Sequence, residues 1–312
     1  HLPFTKRMHL ADYVKHPAGQ NIDPEWGRSL YNRGTVTTYL KSKNELQYIG
    51  MPVGGINTGT LYLGGDGRLW LWDIFNLNQE GVNPLDINWD RGDSKPNRVR
   101  SRDGSAYVAP ARSNEIKPLE QGFAVKMEYD GKTVIRHLRE EEWPEISFEA
   151  TYPVATINYV DPDLPVSISM NAYSPFIPLD ENNSGLPATV FSIQAKNNSG
   201  QAVKLSIAGW LENKTAMHSA LPGSQQRENI LFRKKNLTGV YGTVLNLAYP
   251  KQKIEDKFDF GTLCLAALNA QAVAGSHIDD LPGASVFEIN QAPVIRKSVQ
   301  QKLIGNVINS ST

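Results

Sequence analysis

Acidic residues at two places in the chain have the chemical character needed for acid–base catalysis. The run Glu140–Glu142 is the densest, and Asp161 and Asp163 flank a proline. Hydrolysis by paired carboxyl groups needs the two groups roughly 5 to 9.5 Å apart, on either side of the bond that is cut. Consecutive residues of a strand or turn point in alternating directions, so neither group forms a converging pair by itself. The sequence favours charged turns and a solvated surface for both.

Closely spaced glycines in the stretch MPVGGINTGT (51–60) could suggest a phosphate-binding loop. The dinucleotide fingerprint G-x-G-x-x-G fails because the residue after Gly54-Gly55 is Ile56, and the P-loop fails because Gly59 is followed by threonine instead of lysine. No helix is predicted after either. We expect these glycines to permit left-handed backbone and close backbone approach beneath a hairpin.

The histidines and the single cysteine form no recognisable site. The histidines are scattered without i, i+4 pairs or neighbouring cysteine and aspartate, and no G-x-S-x-G nucleophile elbow occurs. Cys264 lies in the apolar run 262–268, which predicts a buried small hydrophobic residue. The sequence therefore predicts neither a metal ion nor a cofactor.

Aromatic residues are a further lead, because sugars present C–H faces that stack on aromatic rings. In alternating strands most such residues belong to the core. The tryptophans that raise this question are Trp70, Trp72, Trp89, Trp143 and Trp210.

Hairpins supply the elements that must position these residues. Leu61–Leu63 and Arg68–Trp72 flank an Asp-Gly turn, and Phe123–Tyr129 and Lys132–Leu138 flank another at Asp130-Gly131. The apolar character of residues 69–72 predicts a strand that is covered on both faces.

Short strands separated by turn residues continue along the chain, and no long amphipathic helix interrupts them. Asn197–Gly200, between two alternating segments, predicts a further hairpin. The pattern predicts an all-β fold, a large twisted antiparallel β-sandwich of supersandwich type with long loops. The remaining strand candidates are 145–150, 155–160, 165–172, 188–196, 202–211, 230–233, 241–248, 262–268 and 285–289.

Composition excludes some classes of function. The 312 residues are 40% hydrophobic, enough for a sizeable core, and the 32 basic residues balance the 32 acidic ones. A neutral chain without a basic cluster argues against nucleic-acid binding. No apolar run is long enough to span a bilayer. Because the chain opens on His1, we expect a trimmed leader and an exported protein.

The chain divides into two predicted regions. Residues 1–45 are interpreted as a lead-in packed on the domain, with a short helix near Glu25–Tyr31 that Asp23 caps. Residues 46–312 form the β-sandwich domain. Within it, residues 79–119 are polar and irregular, and such long loops are often functional or docked on another surface.

Two long motifs carry a specific resemblance to a known family. MPVGGINTGT followed by a DGR turn and LWDIFN, and later the stretch Asp161–Asn213 ending in AGWLEN, resemble the N-terminal domain of glycoside hydrolase family 116. That family includes bacterial β-glucosidases and the non-lysosomal glucosylceramidase. The resemblance covers residues 45–215 well, and the remainder matches in its strand-rich texture.

The resemblance implies a chain truncated before a helical (α/α)6 catalytic barrel. The family's nucleophile and acid/base residues lie in that barrel, so no catalytic residue is expected here. This chain alone is then inactive, while its parent, a carbohydrate-metabolism enzyme, hydrolyses β-glucosides or related β-glycosides with retention. We expect this domain to brace the barrel and to border its sugar site. The residues predicted at that interface or rim are Gly54, Gly55, Asn57, Gly59, Trp72 and Asp73.

Other functions stay open at this point. A free-standing carbohydrate-binding β-sandwich is the alternative, and a purely structural adhesion-type sandwich is a third. A helical region with carboxylates downstream would favour the enzyme, and sugar affinity would separate the other two.

Overall fold

The computed structural model describes residues 23–29, 34–73, 86–87, 97–98, 119–278, 283–289 and 291–311. Contacts divide the chain into two compact units, residues 1–36 and residues 37–312. In the first unit, helix α1 (Pro24–Ser29) begins where Asp23 Oδ1 accepts a hydrogen bond from the Glu25 amide at 2.8 Å. The predicted Asp23 cap and short helix are confirmed.

The described residues of the second unit are mostly in strands and include the short helix α2 (Glu181–Ser184). The strands are β1 (Thr38–Leu40), β2 (Gly50–Pro52), β3 (Thr60–Gly64), β4 (Leu69–Asp73), β5 (Asp86–Ile87), β6 (Asn97–Arg98), β7 (Gln121–Tyr129), β8 (Lys132–His137), β9 (Glu145–Thr151), β10 (Val154–Val160), β11 (Val166–Tyr173), β12 (Val190–Asn197), β13 (Lys204–Glu212), β14 (Gln225–Lys234), β15 (Leu237–Asn246), β16 (Leu263–Leu268), β17 (Ala272–Ile278), β18 (Val294–Ser298) and β19 (Leu303–Ser311).

The strands form antiparallel sheets. The first five-stranded sheet has the order β1-β9-β10-β11-β12, and the second has the order β17-β19-β13-β7-β8. A four-stranded sheet, β16-β15-β14-β18, and a three-stranded sheet, β2-β3-β4, complete the body, and β5 pairs with β6. The fold is all-β and sandwich-like, as predicted.

The main core contains apolar residues from both five-stranded sheets. Phe148, Ile157 and Ile168 from the first sheet and Val125 and Met127 from the second are almost fully buried in one cluster. β10 and β11 alternate buried and less buried positions, the period-2 pattern of a sheet with one face in the core. The four-stranded sheet contributes to a separate cluster that includes residues of β15, β17 and β19.

Two predicted hairpins are confirmed. β3 and β4 pair across the Asp66-Gly67 turn, where Gly67 has φ +87°. β7 and β8 pair with Tyr129 opposite Lys132, and both turn residues, Asp130 and Gly131, have positive φ. Two left-handed central residues are the geometry that an Asp-Gly turn favours.

The hairpin predicted at Asn197–Gly200 is wrong. β12 pairs with β11 in the first sheet, whereas β13 pairs with β7 and β19 in the second, so the turn carries the chain between layers. Asn197 Oδ1 accepts the Ser199 amide at 2.9 Å, which forms the predicted tight turn. Turn chemistry reverses the chain locally but does not choose the strand's partner.

The strand predicted at 285–289 and the buried position predicted for Cys264 are also wrong. Residues Ala284–Phe287 form a 3-10 turn, and the Asn306 side chain holds it by donating to the Val286 carbonyl at 2.9 Å. Cys264 is exposed on β16. Tertiary contacts override local β propensity in the first case.

The predicted boundary at residue 45 stays a prediction. β1 lies within the predicted lead-in and pairs with β9, with Tyr39 opposite Phe148. Most of the predicted 79–119 loop lies outside the described residues.

Candidate functional site

The loop between β2 and β3, which carries the predicted interface residues, is fixed to the body at its base. The Val53 amide donates to the Leu61 carbonyl at 2.8 Å. The Val53 carbonyl accepts from Thr189 Oγ1 at 2.6 Å and from Ser174 Oγ, which also reaches the Ala188 carbonyl at 2.8 Å. Side chains at the end of β11 and just before β12 therefore hold the loop's first residue.

Gly54 and Gly55 allow the loop backbone to approach other backbone atoms closely. A Cβ atom at Gly54 would lie 2.7 Å from the Gly59 carbonyl oxygen, and one at Gly55 would lie 2.2 Å from the Leu186 carbonyl oxygen. The next amide, that of Ile56, donates to the Ser184 carbonyl at 2.8 Å. The loop can press against the segment between β11 and β12 because Gly55 has no side chain, and it can close on itself because Gly54 has none.

Left-handed backbone occurs at the tip of the loop. Asn57 has φ +61° and Gly59 has φ +93°. The Thr58 amide and hydroxyl both donate to the Gly55 carbonyl, at 3.2 and 2.8 Å. The expected left-handed glycine is thus Gly59, and the side chain of Asn57 is exposed at the tip.

The segment that receives the loop is itself ordered by hydrogen bonds. Asp180 caps helix α2 by accepting the Asn183 amide at 3.1 Å, and the hydroxyl of buried Ser184 bonds both the amide and the carbonyl of Ile177, at 2.8 and 3.0 Å. Two loops are thereby fixed side by side at one end of the first sheet.

Apolar side chains project from these loops and from the adjoining β9–β10 turn. We name this set the glycine-loop surface. Leu179 is fully exposed at φ +68°, and the Tyr152 and Phe176 rings meet edge to face at 5.4 Å. Exposed apolar residues grouped in this way mark interaction sites. The members are Ile56, Tyr152, Phe176, Ile177, Leu179 and Leu186.

For the other predicted rim residues, the structure describes the backbone alone. Trp72 and Asp73 lie in β4, with Trp72 opposite Leu61 and Asp73 opposite Thr60. Their side chains, like those of Trp70 and Leu71, lie outside the described residues, so the predicted double coverage of that strand stays a prediction. Trp143 and Trp210 are buried core residues, as most of the tryptophans were expected to be.

Glu142 differs from its interpretation as part of a solvated acidic face. Its carboxylate lies 2.6 Å from Nδ1 of buried His137, accepts the His137 amide at 2.6 Å, and meets Arg139 Nη2 at 2.5 Å. Burial raises the pKa of Glu142, but the hydrogen bonds from the His137 amide and ring and the nearby Arg139 charge outweigh burial and lower it. Asp161 fits its turn interpretation, since Oδ1 accepts the Asp163 amide at 3.0 Å.

A buried polar cluster at the end of β13 was not predicted from the sequence. Asn213 Nδ2 reaches the carbonyls of Glu228 and Thr243 at 2.7 and 3.1 Å, and Asn213 Oδ1 accepts from the Thr215 hydroxyl at 2.6 Å. Arg227 is buried and donates to the Thr215 carbonyl at 3.1 Å. Burial lowers the pKa of Arg227, although the charges of Glu212 and Asp259 oppose that shift. Polar residue types carry no sequence signal of burial.

The described residues contain no group of three or more His, Cys, Asp or Glu side chains placed to hold a metal ion. Within the same residues, no helix has the length and apolar character needed to cross a bilayer.

Comparison with known proteins identifies the family. Residues 50–295 match the model described as beta-glucosidase 2, glycosyl-hydrolase family 116 N-term. The match includes the glycine loop and both five-stranded sheets in large part. No curated protein matches the chain. Because the family model covers well over half of the sequence, the chain belongs to glycosyl-hydrolase family 116 and contains the N-terminal domain of that β-glucosidase family.

Proposed function

We propose that this domain braces the helical catalytic domain of a β-glucosidase and that the glycine-loop surface is the contact. The observation that carries the proposal is a group of exposed apolar side chains on loops that hydrogen bonds and close glycine contacts hold rigid. Family membership implies a catalytic domain as partner in the full protein. Rigid loops lose little conformational entropy when they are covered, which favours docking.

The proposed role is non-catalytic. Each buried carboxylate among the described residues has a structural hydrogen bond. Glu212 accepts the Glu120 amide at 2.8 Å, and Asp259 accepts the His218 and Ser219 amides at 2.8 and 3.0 Å. Asp66 binds Arg68, Glu120 accepts from Trp210, and Glu228 binds Arg296. Carboxylates held in this way stabilise loops and strand ends, so we assign the catalytic acids to the partner domain.

The loop tip is the part of this domain that we propose to border the sugar site. Asn57 presents an exposed amide at the tip, and Gly59 lets the chain turn back toward β3. An exposed amide can donate to and accept from sugar hydroxyls. Trp72 and Asp73 belong to the same proposed rim through β4, and a β-glucoside is the proposed substrate of the parent enzyme.

The docking surface is tested by Leu179→Asp in a polypeptide that joins this domain to the family's catalytic domain. Leu179 is fully exposed here, so the substitution should leave the melting temperature of the 312-residue chain unchanged. In the joined protein we expect a loss of about 2 kcal/mol at the interface, because a carboxylate would be buried against apolar surface. Calorimetry and turnover of an aryl β-glucoside measure the loss.

Leu268→Asp is the matched control. Leu268 is 64% exposed at the end of β16, outside the glycine-loop surface, and its substitution should change neither protein. If Leu179→Asp and Leu268→Asp behave alike in the joined protein, the glycine-loop surface is not the docking face.

A further inference from the structure

A second group of exposed apolar residues lies at the end of β15 and on the loops that follow β13 and β15. We name it the Tyr249 surface, after its most exposed member. Three of its members are aromatic, and the Phe258 ring stacks on the His218 ring at 6.2 Å and 28°. The members are Leu221, Leu245, Leu247, Tyr249, Phe258 and Phe260.

Tyr249 is held in an unusual position. Its side chain is 98% exposed, and its φ of +57° places a bulky residue in the left-handed region. Such backbone costs free energy and persists where the surroundings enforce it, often at functional sites. The exposed phenol therefore belongs to a constrained loop.

Hydrogen bonds on both sides of Tyr249 supply that constraint. Before it, the Leu247 amide donates to the Ser224 carbonyl at 2.8 Å, and after it the Lys251 amide reaches Ser224 Oγ at 3.3 Å. Gln252 Nε2 donates to the Ser219 carbonyl at 2.6 Å, and Nε2 of fully buried Gln225 donates to the Gln252 carbonyl at 2.9 Å. The Tyr249 ring therefore projects from a loop whose backbone is held by hydrogen bonds on both sides.

Exposed polar residues follow Tyr249 in the same loop. Lys251, Lys253 and Glu255 are exposed, and Asn246 Nδ2 bonds both Glu255 carboxylate oxygens at 2.9 and 2.7 Å. An exposed amphipathic ring on a loop that also carries ammonium and carboxylate groups matches a ligand with one apolar face and hydroxyl edges. Tyrosine suits such contacts because it offers a large rigid area at low entropic cost.

We propose that the Tyr249 surface is a carbohydrate-binding platform for a β-linked gluco-oligosaccharide. The sugar's C–H face would stack on the Tyr249 ring, whose π face carries the negative end of the quadrupole, while hydroxyl groups bond the neighbouring polar side chains. The choice of sugar rests on the β-glucosidase function proposed above, whereas the platform itself rests on the geometry of the loop.

The test is a titration of the isotope-labelled 312-residue chain with cellotetraose, followed by NMR. We expect shifts in residues 246–260 with millimolar affinity. Tyr249→Ala should raise the Kd about fivefold through loss of the stacked ring, and Tyr249→Trp should preserve binding. Because Tyr249 is almost fully exposed, an unchanged melting temperature will show that each variant is folded.

The matched control is Tyr152→Ala, which removes a tyrosine that is 58% exposed on the glycine-loop surface and should leave the Kd unchanged. If cellotetraose causes no shifts, or if Tyr249→Ala leaves the Kd unchanged, the proposal that the Tyr249 surface binds carbohydrate is wrong. Equal binding of maltotetraose would overturn the β-linked assignment. Since the titration needs no catalytic domain, its failure is separate from failure of the Leu179→Asp test.

Discussion

The glycine-loop surface and the Tyr249 surface both consist of loops at strand ends, yet they are made rigid by different means. At the glycine-loop surface, Gly54 and Gly55 omit side chains so that backbone can touch backbone. At the Tyr249 surface, buried polar side chains such as Gln225 and Asn213 reach backbone groups across the loop base. The glycine-loop surface therefore depends on positions without a side chain. The Tyr249 surface depends on buried polar side chains that bond backbone groups.

The difference has consequences for how each loop responds to mutation. A backbone contact at a glycine tolerates no added carbon, but its effect stays local to the loop. A buried amide that bonds several carbonyls couples a loop to the strands beneath it, so its removal leaves several groups unsatisfied. The comparison predicts a larger stability cost at the base of the Tyr249 surface.

The largest effect is expected for Asn213→Ala. The Asn213 amide bonds the Glu228 and Thr243 carbonyls, and its oxygen accepts from Thr215, all in a buried setting. Loss of these bonds should lower the free energy of unfolding by about 3 kcal/mol, measured by chemical denaturation. Asn198→Ala is the control, because Asn198 bonds Ser167 at an exposed site and should change little. Equal losses of unfolding free energy in Asn213→Ala and Asn198→Ala would contradict the larger stability cost predicted at the base of the Tyr249 surface.

A smaller effect is expected for Gly55→Ala. The new Cβ would lie 2.2 Å from the Leu186 carbonyl oxygen, so the loop must move away from its partner segment. We expect a loss of about 2 kcal/mol, with hydrogen exchange increased at Ile56, whose amide bonds Ser184. Gly200→Ala is the control, since no atom lies within 4 Å of its added Cβ. A protected Ile56 amide in Gly55→Ala would show that the close approach is not needed.

The smallest effect concerns pH, and both loops should show it. Hydrogen bonds from the Asn183 side chain and amide lower the pKa of Asp180 below its ordinary 3.8. The Glu255 amide and the Asn246 side chain lower the pKa of Glu255 below its ordinary 4.5. A lowered folded-state pKa gives stability that is present above the ordinary value and is lost as pH falls through the folded value.

Amide protection factors in each loop, corrected for the intrinsic exchange rate at each pH, should therefore fall as the pH is lowered through those values. Asp180→Asn should remove the acid response of the α2 segment and leave that of residues 246–255, and Glu255→Gln should do the reverse. Each variant serves as the control for the other. An acid response that persists in both variants would show that other titratable groups cause it.

The sequence carried strong local information about the glycine-loop surface. Glycine spacing and the Asp-Gly turn predicted a tight loop beneath the β3–β4 hairpin, because positive φ and close approach demand particular residue types. The Tyr249 surface had no comparable signal. Asn213, Gln225 and Arg227 have the composition of a solvated face, and their burial depends on strands distant in the chain.

The same distinction explains the errors. Asn197–Gly200 makes the predicted turn, but β13 pairs with β7 and β19 because its apolar positions are buried in the second sheet. Glu142 lies in an acidic run, yet it bonds buried His137 once the Arg139–Trp143 turn folds against β8. The strand pairing joins residues far apart in the chain, whereas the Glu142–His137 bond spans five residues but forms only when the turn between them folds.

By itself, the sequence determined the all-β class, the Asp-Gly hairpins, the glycine loop and the family, since each depends on local residue types or on motifs read in order. Tertiary structure decided which sheet each strand joins, which polar residues are buried and which apolar ones stay outside. Those outcomes depend on contacts between residues far apart in the chain, where burial and hydrogen bonding outweigh local propensity.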